Sequence, residues 1–377
     1  MSSPPEKPRR RIGLRARLGL LLFSSAFGLA GLEIGARILA HVRTQRVRAD
    51  WERLRHSTAA PAALGKATLG QMVFLSDDPH IVYELIPNVT ATFQGQECAI
   101  NAEGHRDGPW PAPARTPDSL RIVGIGDSVM FGWGVRAEDS FLSVLQRSLA
   151  AALPGTRVEV LNTGVPGYNT AMEVTAFERQ ALRYRPDVVI LDYVGNDTDL
   201  PNLIASQSDP FDLGHSFAWD LVRKLFGRWS RWSDSPLQGA PFAGDRFESD
   251  PDRVPPAYRD MVGEAGVERA MVRLHDLAQA HAFHVVVTTH LEAPAFVHRI
   301  CERLGWPLEE NTPSVRRYMA AHAIPPTDYL HCELTLPGDP HPSAAGHRLF
   351  AATIFAFLQH SGWLPAAAGA SGPRRPG

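Results

Sequence analysis

Four short β-forming runs, each followed by a stretch with helical spacing, leave this chain very few folds to choose from. The runs are LRIVGIG (120–126), RVEVLN (157–162), DVVILDYV (187–194) and FHVVVTTH (283–290). LRIVGIG is short and almost continuously apolar, the form of a strand covered on both faces. Between the runs lie SFLSVLQRSLAAAL, with Ser140 as a cap, TAMEVTAFERQALRY, and the amphipathic VERAMVRLHDLAQAHA. TPSVRRYMAAHA reads as a helix capped by Thr312 with Pro313 at its first position, and SAAGHRLFAATIFAFLQ closes the series. Such alternation predicts an α/β domain of three layers, α/β/α, around a central parallel sheet.

The first 45 residues belong to something else. PEKPRRRIGLRAR is basic, and LGLLLFSSAFGLAGL (18–32) carries no charge. Up to Ala40 only Glu33 and Arg37 interrupt the apolar character, and both come late enough to reach an interface. A span needs about 20 apolar residues. GARILAHV is a poor cleavage site, so the segment is expected to be an uncleaved transmembrane helix. Arginines flank it on both sides, and the charge bias is weak. The body is placed outside the cytoplasm, in the periplasm, because long domains translocate largely regardless of charge. Residues 46–118 then read as a charged helical stalk, a linker (STAAPAALGKATLG) and an extended accessory segment from Ile81 to Asp107. Residues 119–360 are read as the α/β domain, with an insertion at about 200–263, and 361–377 as a disordered tail.

Bulk composition excludes rather than identifies. The net charge of −2 offers no footprint for nucleic acid. Three cysteines, Cys98, Cys301 and Cys332, are too few and too scattered for a disulfide framework or a zinc site. Cys301 and Cys332 could pair in an oxidising compartment; three buried free thiols is the preferred reading.

In parallel sheets, ligands bind beyond the C-terminal ends of the strands. The residues there are Gly126-Asp127-Ser128 after the first run, NTGVPGYN after the second and VGNDTD after the third. LPGDPHPSAAGH, before the closing helix, carries Asp339 and His341. Four loops thus bring a serine, a tight glycine, an asparagine, and an acid close to a histidine to one edge. That set supplies a nucleophile, a base and a group to orient the base, together with donors for an oxyanion. GIGDSV superficially resembles a dinucleotide loop, but its third glycine is missing.

The blocks GIGDS, NTGVPG, GND and DPHP, in this order, closely resemble the SGNH (GDSL-type) hydrolase superfamily, over about Leu120 to Leu358. YELIPN and INAEGHRD also look like segments preceding the serine block in membrane-anchored bacterial members. The resemblance implies the SGNH, flavodoxin-like hydrolase fold, with Ser128 as nucleophile and His341 as base. It implies an oxyanion hole built from Gly164, Asn196 and the N–H of Ser128. It requires no cofactor and no metal. One departure stands out. The family's acid usually lies three residues before the histidine; here Asp339 lies two before His341, as in some membrane-anchored members. Either the Asp339 carboxylate or a backbone carbonyl orients the imidazole.

Other residues are given plainer roles. Ser128 has the alternative of capping a helix, Gly164 of serving only a tight turn, and Asn196 and Asp339 of forming turns. His347 is expected to pack or face solvent, and His290, at the end of the fourth strand, is a candidate substrate contact. In the insertion, Phe217, Leu221, Leu225, Trp229 and Trp232 form one helical stripe, expected to pack on the body or to act as a lid at a membrane or acyl chain. The expected function is a membrane-anchored serine esterase acting on an acylated glycan or lipid of the envelope. An acyltransferase with the same residues, or a non-enzymatic envelope binding protein, are the rivals. The oligomeric state is unknown.

Overall fold

The apolar N-terminal stretch and the charged stretch behind it form one continuous helix, α1 (Leu14–Arg55). The computed structural model describes residues 13–55, 62–201 except 107 and 117, 216–219, and 249–365 except 253 and 255. Within α1, the 25 residues Arg15–Leu39 are long and apolar enough to cross a membrane, a property that signal sequences share. The chain divides into two units. The first contains the N-terminal part of α1 and the short turn at 216–219. There Glu33 accepts hydrogen bonds from the Ser216 hydroxyl and from the backbone N–H of Phe217 and Ala218, at 2.9, 3.0 and 2.9 Å. Arg37, one turn further on, pairs with Glu33 at 2.8 Å and covers the Phe217 ring. Leu221, Leu225, Trp229 and Trp232 of the expected stripe lie outside the described residues, as does the tail from residue 366.

Past the end of α1, the second unit continues with small β elements. Strand β1 (Ala62–Lys66), helix α2 (Leu69–Met72), and strands β2 (Val73–Leu75), β3 (Tyr83–Leu85), β4 (Val89–Phe93) and β5 (Gln96–Ala99) follow in order. β1 pairs parallel with β4, β4 antiparallel with β5, and β2 antiparallel with β3. This corrects the reading of STAAPAALGKATLG as a linker: Ala62–Lys66 is a sheet strand. Ala and Gly hide a strand from a pattern reading because they carry no alternation.

The main sheet consists of β6 (Ser119–Ile125), β7 (Arg157–Asn162), β8 (Val188–Tyr193), β9 (His284–Thr289) and β10 (Leu308–Glu310). It is wholly parallel, in the order β10-β9-β8-β6-β7. The four expected runs supply four of its five strands. β10, with the sequence LEE, escaped notice because it lies at the edge and has no buried position. The connecting helices are α3 (Ser128–Phe131), α4 (Phe141–Ala152), α5 (Thr170–Ala176), α6 (Gly263–His281), α7 (Ala295–Leu304), α8 (Thr312–Ala321) and α9 (Ala344–Ser361). α7 was not anticipated. Ser140 caps α4 as expected, through its bond from Ser143 N. At α8 the cap position belongs to Asn311, so Thr312 is the first helical residue and Pro313 the second.

Alternation along β6 assigns the layers. Val123 and Ile125 face a core shared with Val174, Phe177, Met271, Leu274, Val297 and Ile300. Leu120 and Ile122 face the other, with Leu142, Leu145, Val315, Met319, Phe350 and Ile354. Each such side chain, fully buried, contributes roughly 1.5–3 kcal/mol. Cys301 lies in the first core and Cys332 packs against the second, and all three cysteines are free. From β6 the chain passes to β7 on one side and returns to β8 on the other. The crevice at the C-terminal end of β6 is therefore a topological switch point, where open α/β sheets bind their ligands.

Candidate active site

β6 ends at a crowded bend. A Cβ on Gly126 would stand 2.7 Å from Met130 Cβ, so only glycine lets α3 fold back over the strand end. Asp127 is the cap of α3: its Oδ1 accepts from Val129 N at 2.9 Å. Ser128 is thus the first helical residue, not the cap, and its N–H has no acceptor among the described residues. α3 lasts one turn and stops at Gly132 in the left-handed region (φ 82°). Ser128 Oγ lies 2.8 Å from His341 Nε2 and 3.1 Å from Asp127 Oδ2. The hydroxyl has one proton, and the shorter contact is to the imidazole.

His341 sits on β12 (Asp339–Pro342), which pairs antiparallel with β11 (Thr335–Leu336). Asp339 Oδ1 accepts from His341 backbone N at 2.9 Å and contacts His341 Nδ1 at 2.5 Å. The short spacing is met by this side-chain to backbone bond two residues on, which curls the carboxylate back beneath the imidazole of its own strand. Asp339 Oδ2 accepts from Trp133 Nε1 at 3.2 Å. Burial pushes the Asp339 carboxyl up, but the His341 side chain and backbone N–H, the imidazole charge and the Trp133 N–H outweigh it. The group stays below its ordinary range.

The asparagine and the glycine take different places. The Asn196 side chain lies beside the Asp127 carboxylate and favours its charged form, which places it at the nucleophile's turn. Asp197 fixes the same loop by accepting from Val194 N at 3.1 Å. The expectation that Gly164 lends its N–H to an oxyanion does not fit the geometry. That N–H donates to Asn162 Oδ1 at 2.9 Å, while Asn162 Nδ2 donates to Met130 O. A Cβ on Gly164 would stand 2.4 Å from Phe131 N. The residue is glycine because the loop backbone presses on α3, and no substrate is needed to explain it. The other glycine of that block, Gly167, has φ 81°, and its N–H has no acceptor among the described residues.

Burial, ahead of all other influences, raises the Asp127 carboxyl; the Val129 N–H, His341, Asn196 and Ser128 oppose it without cancelling it. Behind Asp127 lie Glu173, Asp192 and Asp197, each at most 2% exposed. Burial, reinforced by mutual repulsion, pushes all three well above the carboxylate range. Nothing in a linear reading distinguishes these acids from solvated ones. His347 is a packing residue: it is fully buried, its Nδ1 accepts from Phe141 N, and burial pushes its pKa down to about 3. His290 is lowered to about 4, by burial first and then by the charge of His341. Trp133 and Arg106 went unnoticed. A tryptophan between two glycines, five residues after the serine, was the available signal for the former.

The chain belongs to the GDSL-like lipase/acylhydrolase family, whose sequence profile matches residues 125–349. It is accordingly an ester-bond hydrolase. No curated protein matches it. Among solved structures it is similar to the acetyl xylan esterase AlAXEase, at 14% identity over 63% of this chain and 100% of that one, with a TM-score of 0.39. It is also similar to a GDSL-like lipase from Bacteroides thetaiotaomicron VPI-5482, at 13% identity over 67% and 93%, TM-score 0.38. A two-domain esterase active on acetylated mannans aligns at 17% identity over 64% and 49%, TM-score 0.37.

Proposed function

We propose that this protein is a membrane-anchored serine esterase that cleaves carboxylic esters on acylated glycans or lipids of the envelope. The observation that carries the reading is the continuous chain Ser128 Oγ, His341 Nε2, His341 Nδ1, Asp339 Oδ1, with contacts of 2.8 and 2.5 Å at its two ends. With Nδ1–H donated to the carboxylate, the Nε2 lone pair faces the serine hydroxyl. Ser128 Oγ attacks the ester carbonyl as His341 Nε2 takes its proton, giving a tetrahedral oxyanion. Collapse expels the alcohol, which takes the proton from Nε2, and leaves an acyl-serine. Water, deprotonated by His341, then attacks the acyl carbon; collapse breaks the bond to Ser128 Oγ, which takes the proton back from Nε2, and the acid is released. The Ser128 N–H, the Asn196 amide and the Gly167 N–H serve as oxyanion donors, Gly167 replacing Gly164 because its hydrogen is uncommitted. The apolar segment Arg15–Leu39 supports the anchor, and the catalytic body is placed on the extracytoplasmic side.

The full chain in detergent should hydrolyse short p-nitrophenyl esters with burst release of p-nitrophenol. Adding an unacylated polysaccharide separates release of the acid from transfer to a glycan hydroxyl. Absence of turnover on short and long esters alike, with no acyl transfer, would overturn the reading. Asn196→Ala should cost roughly a hundred- to a thousandfold in kcat, with a smaller change in KM, because the contact strengthens in the transition state. Unchanged kcat would return Asn196 to the role of a turn residue.

A further inference from the structure

The indole of Trp133 sits between the accessory strands and the catalytic pair. On one side its ring stacks on the His341 imidazole, with centroids 5.1 Å apart and planes at 19°. Its Nε1–H donates to Asp339 Oδ2 at 3.2 Å. On the other side Phe93, the last residue of β4, meets it edge-on at 5.0 Å and meets Phe131 in the same way at 6.0 Å. The loop that carries Trp133 is pinned by a buried guanidinium. Arg106 donates to the carbonyls of Phe131 (3.2 Å), Gly132 and Val135 (2.6 Å), with its charge over the Phe131 ring. Leu336 closes the loop from the β11–β12 side, since a Cβ on Gly134 (φ 70°) would stand 2.3 Å from Leu336 Cδ1.

We propose that Trp133 is a positioning residue for the reaction, holding the Asp339 carboxylate and the His341 imidazole in register, and that Phe93 and Arg106 of the accessory segment seat it. This rests on the reading of Ser128, His341 and Asp339 as the catalytic set. Trp133 is 3% exposed and acts through the pair rather than on substrate. The physical need for it follows from the short spacing. Asp339 Oδ1 already takes two donors, both from His341. The carboxylate's rotation is then limited at its other oxygen, and Trp133 Nε1 is the side-chain donor found there. Without it the carboxyl group can turn about its Cβ–Cγ bond and the imidazole can tilt away from Ser128. The accessory segment is thereby part of the catalytic apparatus.

The test is a double-mutant cycle on p-nitrophenyl ester hydrolysis by the full chain. Trp133→Phe keeps an aromatic face and removes the donor. A hydrogen bond to a charged group is at stake, so kcat should fall roughly ten- to a hundredfold, with KM nearly constant. The same change made in the Asp339→Asn background should cost nothing further, or even restore activity, because the carboxamide introduced there can turn an N–H donor of its own against the indole N–H. Trp133→His, which retains an N–H, should recover part of the loss, and it takes over the test if Trp133→Phe fails to fold by circular dichroism. A wild-type kcat in Trp133→Phe, or an equal loss in both backgrounds, would overturn the proposal. The underlying reading fails separately: if Ser128→Ala retains turnover, the catalytic set is wrong. If Ser128→Ala is inactive while Trp133→Phe is unaffected, only the role of Trp133 falls.

Discussion

Ser128→Ala should fold like the parent and lose ester turnover by roughly a millionfold, the scale seen when a serine nucleophile is removed. The fold is expected to survive because the hydroxyl holds no structural element together. α3 is capped by Asp127 and closed by Gly132, and among the described residues the Ser128 side chain bonds only to His341 and Asp127. A fluorophosphonate should label the parent at Ser128 alone, since the nearby His341 Nε2 activates only that hydroxyl. Thermal unfolding within about 2 °C of the parent would separate lost chemistry from lost structure, given that 1 kcal/mol corresponds to a few degrees. Labelling that persists in the alanine variant would transfer the nucleophile to another residue.

The second large effect is expected at Asp339. Its two oxygens accept from three donors: His341 N, His341 Nδ1 and Trp133 Nε1. Asparagine offers one oxygen and one amino group, and neither amide orientation satisfies all three. If the amino group faces Nδ1, the imidazole is driven to the tautomer with its proton on Nε2, where it can no longer accept from Ser128. Loss of roughly ten-thousandfold in kcat is the expected scale for that failure. The carboxylate also stabilises the imidazolium formed during attack. Its removal should move the acid limb of the kcat/KM profile to lower pH. An Asp339→Asn enzyme with near-parental kcat and an unmoved acid limb would leave a Ser128–His341 dyad oriented by backbone.

The central sheet was legible because its strands are buried on both faces, and a strand of that kind must be written in Val, Ile and Leu. β7 to β9 begin and end within one residue of the runs read from sequence. Elements at the margin were not legible. β10 is half-exposed, and β1 is written in small residues, so neither carries a burial pattern; both exist because a neighbouring strand offers unpaired backbone. At α8 the cap position falls to Asn311, whose side chain makes no cap bond to the helix and instead donates to Thr289 O at the end of β9.

The same division runs through the site. That Ser128, Asn196 and His341 come to one edge could be read from sequence, because each follows or precedes a recognisable element and the fold delivers the ends of parallel strands to that edge. That ordering is a property of chain connectivity, which the sequence by itself determines. The role of Gly164 could not be read in this way. Whether a glycine is needed for substrate or for a neighbouring backbone depends on what lies within 4 Å of its missing Cβ, and here that is α3. The orientation of Asp339 was equally hidden. A carboxylate two residues before a histidine can accept from that residue's backbone N–H, but this local bond leaves the partner of its second oxygen undetermined. That second oxygen is met by Trp133, 206 residues earlier in the chain, whose loop is held by Arg106 and Phe93 of the accessory segment. Hydrogen bonds and ring contacts act over roughly 3–6 Å of space whatever the separation along the chain, so only the tertiary structure could show them.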